Sequence, residues 1–151
     1  MATLSPRTLT RVYASQPEAV AGAREAMAAF ALESGASSEQ ADQVRLAVSE
    51  TVTNAILHGY RDRSGDVHVH ASVTGGALTI VVRDEGVGMQ PHLSCAGLGL
   101  GLGIVARVTD QMAIVPRPQG GVELQMRFAL VARGAPTAPP APRRAVYAAD
   151  A

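Results

Sequence analysis

The chain has no tryptophan, and aromatic residues make up only 3% of its 151 positions. That leaves little from which to build stacking platforms for single-stranded nucleic acid. Charge of one sign is missing too: thirteen basic and thirteen acidic side chains cancel, so no global field draws the protein to nucleic acid or to a membrane surface. Cys95 stands alone, which excludes an internal disulfide and fits a reducing compartment. No apolar run approaches the roughly 20 residues needed to span a bilayer. The opening Met1–Thr8 segment lacks the basic-then-apolar order of a secretion signal, so a cytoplasmic location is expected. The P-loop pattern G-x-x-x-x-G-K-[ST] is absent as well.

What is present suffices for one core, with 47% hydrophobic residues. The expectation is one domain over residues 1–131 and an Ala/Pro-rich, disordered tail over 132–151. Leu9–Ala14 reads as a short strand. Ser15-Gln-Pro17-Glu18 reads as a capping box opening an Ala-rich helix that ends at Ser34-Gly35. Ser37-Ser38-Glu39-Gln40 opens a second helix, running to about Leu57 and stopped by Gly59. The period then changes to two: Val67, Val69, Ala71 and Val73 alternate with polar residues, Thr74-Gly75-Gly76 makes a turn, and Leu78–Val82 forms the second arm of a hairpin. Helical character resumes around Ile104–Thr109. Ala113–Val115 and Val122–Leu130 read as strands joined by the turn Gln119-Gly120-Gly121. Helices followed by a mostly antiparallel sheet predict an α+β two-layer sandwich with helices on one face.

Three stretches carry candidate chemistry. In the second helix Glu50, Asn54 and His58 recur every four residues, forming a polar stripe behind which Val48, Val52, Ala55 and Ile56 face a core. An acid and an amide in line can hold a hydrated metal and a polar substrate; a solvated helix face would show the same pattern. In Asp84-Glu85-Gly86-Val87-Gly88 a carboxylate at a strand end precedes two spaced glycines, so it can accept hydrogen bonds from an exocyclic amine such as that of adenine. The run Gly97-Leu-Gly99-Leu100-Gly101-Leu-Gly103 leaves backbone N–H groups free at a helix start, a cradle for phosphate. Its match to G-x-G-x-x-A carries little weight without a βαβ context. His68 and His70 share a strand face, but with no Cys or third His nearby they do not make a metal site.

In this order, Glu50-x-x-x-Asn54-x-x-x-His58-Gly59, Asp84-x-Gly86-x-Gly88 and the Gly-Leu run resemble the gyrase, histidine-kinase and chaperone ATPase superfamily. Ala47-Val-Ser-Glu50-x-x-Thr-Asn54-Ala-x-x-His58-Gly59-Tyr60 is similar to the bacterial anti-sigma factor serine/threonine kinases. The resemblance covers about residues 8–130 and implies a Bergerat ATP-binding sandwich: a mixed, mostly antiparallel sheet covered on one face by helices. It implies ATP and Mg²⁺ as cofactors, Asn54 as the metal ligand, Glu50 as general base, and His58 near the helix end or the phosphates. It also implies Asp84 as the adenine-reading carboxylate with Gly86, Gly88 and Met89 around it, and Gly97, Gly99, Leu100 and Gly101 as the phosphate-holding loop. The expected partners are a sigma factor, which is sequestered, and an antagonist protein, which is phosphorylated. A homodimer is expected, with no direct contact to nucleic acid or membrane.

Two positions depart from the superfamily's pattern. The lid from Met89 to Gly97 is short and has no Arg or Lys, and Val122 follows Gly121 where a threonine hydroxyl is common. Both bear on nucleotide affinity and rate, and they keep a second reading open: an ATP-binding regulatory module that holds a partner without phosphorylating it.

Overall fold

The computed structural model describes residues 5–60, 64–86, 99–130 and 145–147. Strand β1 (Arg7–Ala14) leads into helices α1 (Glu18–Glu33) and α2 (Ser38–Asn54), and α2 continues into a π-helical turn, Ala55–Gly59. The hairpin β2 (Asp66–Thr74) and β3 (Ala77–Arg83) follows, then α3 (Gly99–Val108), β4 (Gln111–Pro116), β5 (Val122–Ala129) and β6 (Ala145–Tyr147). The six strands form one sheet in the order β1-β2-β3-β5-β4-β6. The first five are paired antiparallel and β6 runs parallel to β4, so the sheet is mixed and mostly antiparallel.

Period-two burial aims one sheet face at the helices. Val67, Val69 and Ala71 of β2, Leu78, Ile80 and Val82 of β3, Leu124, Met126 and Phe128 of β5, and Met112 and Ile114 of β4 are all buried. The helices meet them with Ala23, Met27 and Ala31 from α1, Val44, Val48 and Val52 from α2, and Leu102 and Val105 from α3. Helix α2 packs against both α1 and α3. This is the two-layer α+β sandwich the sequence predicts.

Three local expectations change. Ser15 does not cap α1: its Oγ accepts from the Gly65 amide at 3.0 Å and its own amide donates to the Gly65 carbonyl at 2.9 Å. It extends the β1–β2 contact, and α1 starts three residues beyond it, at Glu18 behind Pro17, with no side-chain cap. Helix α3 starts at Gly99, ahead of Ile104. Glycine costs a helix about 1 kcal/mol per residue, and burial of Leu102 and Val105 one turn apart offsets that cost. Within the tail read as disordered, Ala145–Tyr147 pairs with Met112–Ile114, where Val146 and Tyr147 suit a strand added to an open edge.

The second cap is as expected. The Ser37 Oγ accepts from the Gln40 amide at 3.1 Å and the Gln40 side chain accepts from the Ser37 amide at 3.2 Å. Because α2 carries the polar stripe, Ser37→Ala should lower stability by about 1 kcal/mol while leaving ligand response intact. Urea unfolding, read alongside ligand-induced thermal shifts, checks both halves of that expectation.

Candidate functional site

Helix α2 and its π-helical turn form one wall of a cleft; β3, β5 and α3 form the rest. The cleft holds about 430 Å³, counting its solvent-open part, and is lined by Thr51, Asn54, Ala55, His58, Gly59, Val82, Asp84, Leu102, Val122 and Leu124. Two members of the polar stripe, Asn54 and His58, therefore face the cleft. Strand alternation sends Val82 into it and Arg83 to the opposite sheet face.

Asp84 lies where β3 ends, only 6% exposed. Its Oδ1 accepts from the Gly86 amide at 3.0 Å, and its own amide donates to the Val122 carbonyl at 3.0 Å, tying the loop to β5. Burial pushes this carboxyl above its ordinary value, against the opposing pull of the Gly86 and Val122 amides and the Arg117 charge. Backbone packing here is very tight. A Cβ on Gly86 would sit 1.8 Å from the Gly59 carbonyl oxygen, and one on Gly121, where φ is +88°, would sit 2.1 Å from the Asp84 carbonyl oxygen.

Glu50 and Asn54 meet the glycine run from α3. A Cβ on Gly101 would fall 2.8 Å from Glu50 Oε2 and 3.7 Å from Asn54 Nδ2, so the bare backbone of Gly101 is what allows α3 to approach the acid and the amide. Asn54 Nδ2 is buried and has no hydrogen-bond partner among the described residues. An orphaned amide beside a carboxylate calls for an acceptor such as a phosphate oxygen, with Oδ1 left to ligate a cation. No group of three His, Cys, Asp or Glu that could hold a metal exists among the described residues. The donor set thus fits an ion that takes one protein oxygen and completes its shell with phosphate and water, which is the habit of Mg²⁺. His70 Nδ1 bonds Thr10 Oγ1 at 2.8 Å across the β1–β2 pair.

Of the expected site residues, Glu50, Asn54, His58, Asp84, Gly86 and Gly101 are assembled around one cleft. Gly99 and Leu100 open α3. Gly88, Met89 and Gly97 lie outside the described residues. Sequence reasoning passed over three groups. Tyr60 donates from its hydroxyl to the Asp66 carbonyl at 2.6 Å and accepts from the Glu85 amide at 2.8 Å, bracing the Asp84 loop; its hydroxyl pKa is raised by burial. Arg117 reaches back from the β4–β5 turn to the Asp84 carbonyl at 3.1 Å. Thr51, on the helix wall of the cleft, carries no pattern that separates it from a core threonine. Only Tyr60 had a signal, its place next to His58-Gly59.

A helix-walled cleft over an antiparallel sheet, with a buried acid at one end and an amide–glycine contact at the other, is the Bergerat type of nucleotide-binding sandwich. The family model described as "Histidine kinase-like ATPase domain" matches residues 13–128. An anti-sigma F factor of Clostridium acetobutylicum is 34% identical over 72% of this chain and 85% of its own length. Another, from Thermoanaerobacter pseudethanolicus, is 33% identical over 69% of this chain and 80% of its own. The solved histidine kinase domain of the Erythrobacter litoralis EL346 blue-light activated histidine kinase superposes with a TM-score of 0.51 at 28% identity, covering 61% of this chain. Our chain spans less than half, 45%, of that structure. The chain belongs to the histidine kinase-like ATPase family, within its anti-sigma factor branch.

Two measurements probe the acid end. Gly86→Ala should destabilise the fold by about 3 kcal/mol or more, since the new methyl meets rigid backbone; chemical denaturation reads this directly. The Asp84 carboxyl has a folded-state pKa above its unfolded one, so its contribution to folding is full below its ordinary value of 3.8 and is lost as pH rises through the raised value. Asp84→Asn should therefore flatten that part of the stability–pH profile, measured by urea unfolding between about pH 4 and about pH 7.

Proposed function

We propose that this chain binds Mg-ATP in the cleft, transfers the γ-phosphoryl group to a Ser or Thr hydroxyl of an antagonist protein, and restrains a sigma factor. The observation that carries the reading is the buried Asn54 amide, without a partner among the described residues, which with the Glu50 carboxylate faces the bare Gly101 backbone and shares its cleft with buried Asp84. The printed name of the relatives, anti-sigma F factor, supports the regulatory half.

Each end of the cleft has its task. Asp84 accepts from the base amine in a setting dry enough to make that hydrogen bond count. Asn54 is the side chain that would hold Mg²⁺, and the ion would neutralise phosphate charge. Gly99, Gly101 and the amides of the first turn of α3 receive phosphate oxygens. Glu50 takes the proton of the attacking hydroxyl as its oxygen bonds to the γ-phosphorus; the bond between that phosphorus and the β–γ bridging oxygen breaks, and ADP leaves. A cytoplasmic homodimer completes the reading, with residues 1–131 as the ATP-binding domain and Ala145–Tyr147 of the following segment paired to its β4 edge.

One sequence feature favours a second reading. Between Met89 and Gly97 there is no Arg or Lys to stabilise charge on the transferring group. A module that binds ATP and sequesters its partner without phosphorylating it fits that lack. Radiolabelled ATP with a cognate antagonist protein separates the two. Transfer that falls by about 100-fold or more in Glu50→Ala, with Mg-ATP binding kept, supports the kinase; binding without transfer by the unaltered protein supports the module.

A further inference from the structure

One peptide unit at the acid end of the cleft is held from both sides. The unit joining Asp84 to Glu85 accepts at its carbonyl oxygen from Arg117 Nη1 at 3.1 Å, and its N–H donates to the Tyr60 hydroxyl at 2.8 Å. The two side chains arrive from different layers: Tyr60 closes the π-helical turn after α2, and Arg117 follows the last residue of β4. Both are firmly placed. Buried Tyr60 lies so close to Gly65 that a Cβ there would come within 2.2 Å of its Cε1. The Arg117 amide donates to the Gly121 carbonyl at 3.1 Å, its carbonyl accepts from the Gly120 amide at 3.0 Å, and its side chain is 18% exposed. The polarity of the arrangement is fixed as well. The Tyr60 proton goes to the Asp66 carbonyl at 2.6 Å, so toward Glu85 that oxygen can only accept. A guanidinium can only donate. A flipped peptide would set its carbonyl against an oxygen whose proton is spent and its N–H against a donor, losing both bonds.

We propose that Tyr60 and Arg117 act jointly as positioning residues for base recognition: by locking the Asp84–Glu85 peptide plane, they hold the Asp84 carboxylate in the orientation that reads the exocyclic amine. The inference rests on the adenine-nucleotide reading of the cleft and extends it to the residues that make the acid selective. The torsions on either side of that plane set how the Gly86 amide, two residues on, meets Asp84 Oδ1 at 3.0 Å, and this bond fixes the rotation of the carboxylate. A carboxylate held in advance of binding gives the amine its full hydrogen bond without the cost of ordering the loop. Because both side chains hold one plane, loss of either frees it, and loss of the second adds little.

Two measurements on the full chain test this. Calorimetry compares Mg-bound ATP with Mg-bound purine riboside triphosphate, which lacks the amine, in Tyr60→Phe, Arg117→Met and the double variant. Each single variant should lower the preference for ATP about 5-fold, and the double variant should lower it by about the same factor. Amide hydrogen exchange gives a second readout that needs no ligand. In Arg117→Met the Glu85 amide, still facing an unaltered Tyr60, should exchange about 10-fold faster, while the amides of β3 register any change in global opening. Preference losses that multiply in the double variant, equal losses for the two probes, or a Glu85 amide that speeds up no more than those of β3 would overturn the proposal. Asp84→Asn separates this from the parent reading. If that variant keeps the preference of the unaltered protein, or if the unaltered protein shows none, the adenine reading fails and the positioning role with it. If Asp84→Asn loses the preference while neither Tyr60→Phe nor Arg117→Met does, only the positioning role falls.

Discussion

The site depends on the near-contact of two backbones. The carbonyl of Gly59, at the exit of the π-helical turn, and the Cα of Gly86, in the loop after β3, pack too closely for any side chain between them. Helix wall and sheet floor are joined there without an intervening atom, so the depth of the cleft is set by main chain and does not depend on rotamers. Gly121, in the turn before β5, repeats the arrangement against the Asp84 carbonyl. Asp84 is held between the two by its own backbone and aimed into the space that remains. Tyr60 and Arg117 then tie the loop to β2 and to the β4–β5 turn.

From this geometry the cleft acquires two electrostatic characters. Its buried lining is apolar apart from Asp84 and Thr51, so a carboxylate there is costly to ionise and hydrogen bonds to it are strong. Its more exposed lining has half-buried Glu50, Asn54 and His58 along the helix, with Gly101 in the first turn of α3 set against Glu50 and Asn54. A purine with one polar edge suits the first; a triphosphate with its counter-ion suits the second. Both characters are presented along one helix, and Gly101 is where the second helix meets it.

Much of this was legible in the chain. The four-residue spacing of Glu50, Asn54 and His58 needs only helical periodicity to become a stripe, and the alternation in β2 and β3 needs only the pleat. The Ser37 capping box was legible because both partners lie within one turn. The Ser15 box was misread because its hydroxyl was claimed by Gly65, fifty residues away, through strand pairing that local pattern cannot express. The start of α3 was placed late for a similar reason: glycine propensity argues against a helix, and only the buried surface of Leu102 and Val105 overrides it.

The sequence by itself determined β1 to β5, the two long helices, the layer order and the identity of the polar residues on α2, since each follows from short-range periodicity and turn chemistry. Tertiary structure alone decided that Gly101 stands against Glu50, that the Asn54 amide has no partner among the described residues, and that Arg117 and Tyr60 brace Asp84. It also decided that Thr51 faces a cleft, although on the helix it belongs to the buried side with Val48 and Val52. These are contacts between segments far apart in the chain. Distance, burial and an unmet hydrogen bond exist only once the two layers have closed on each other.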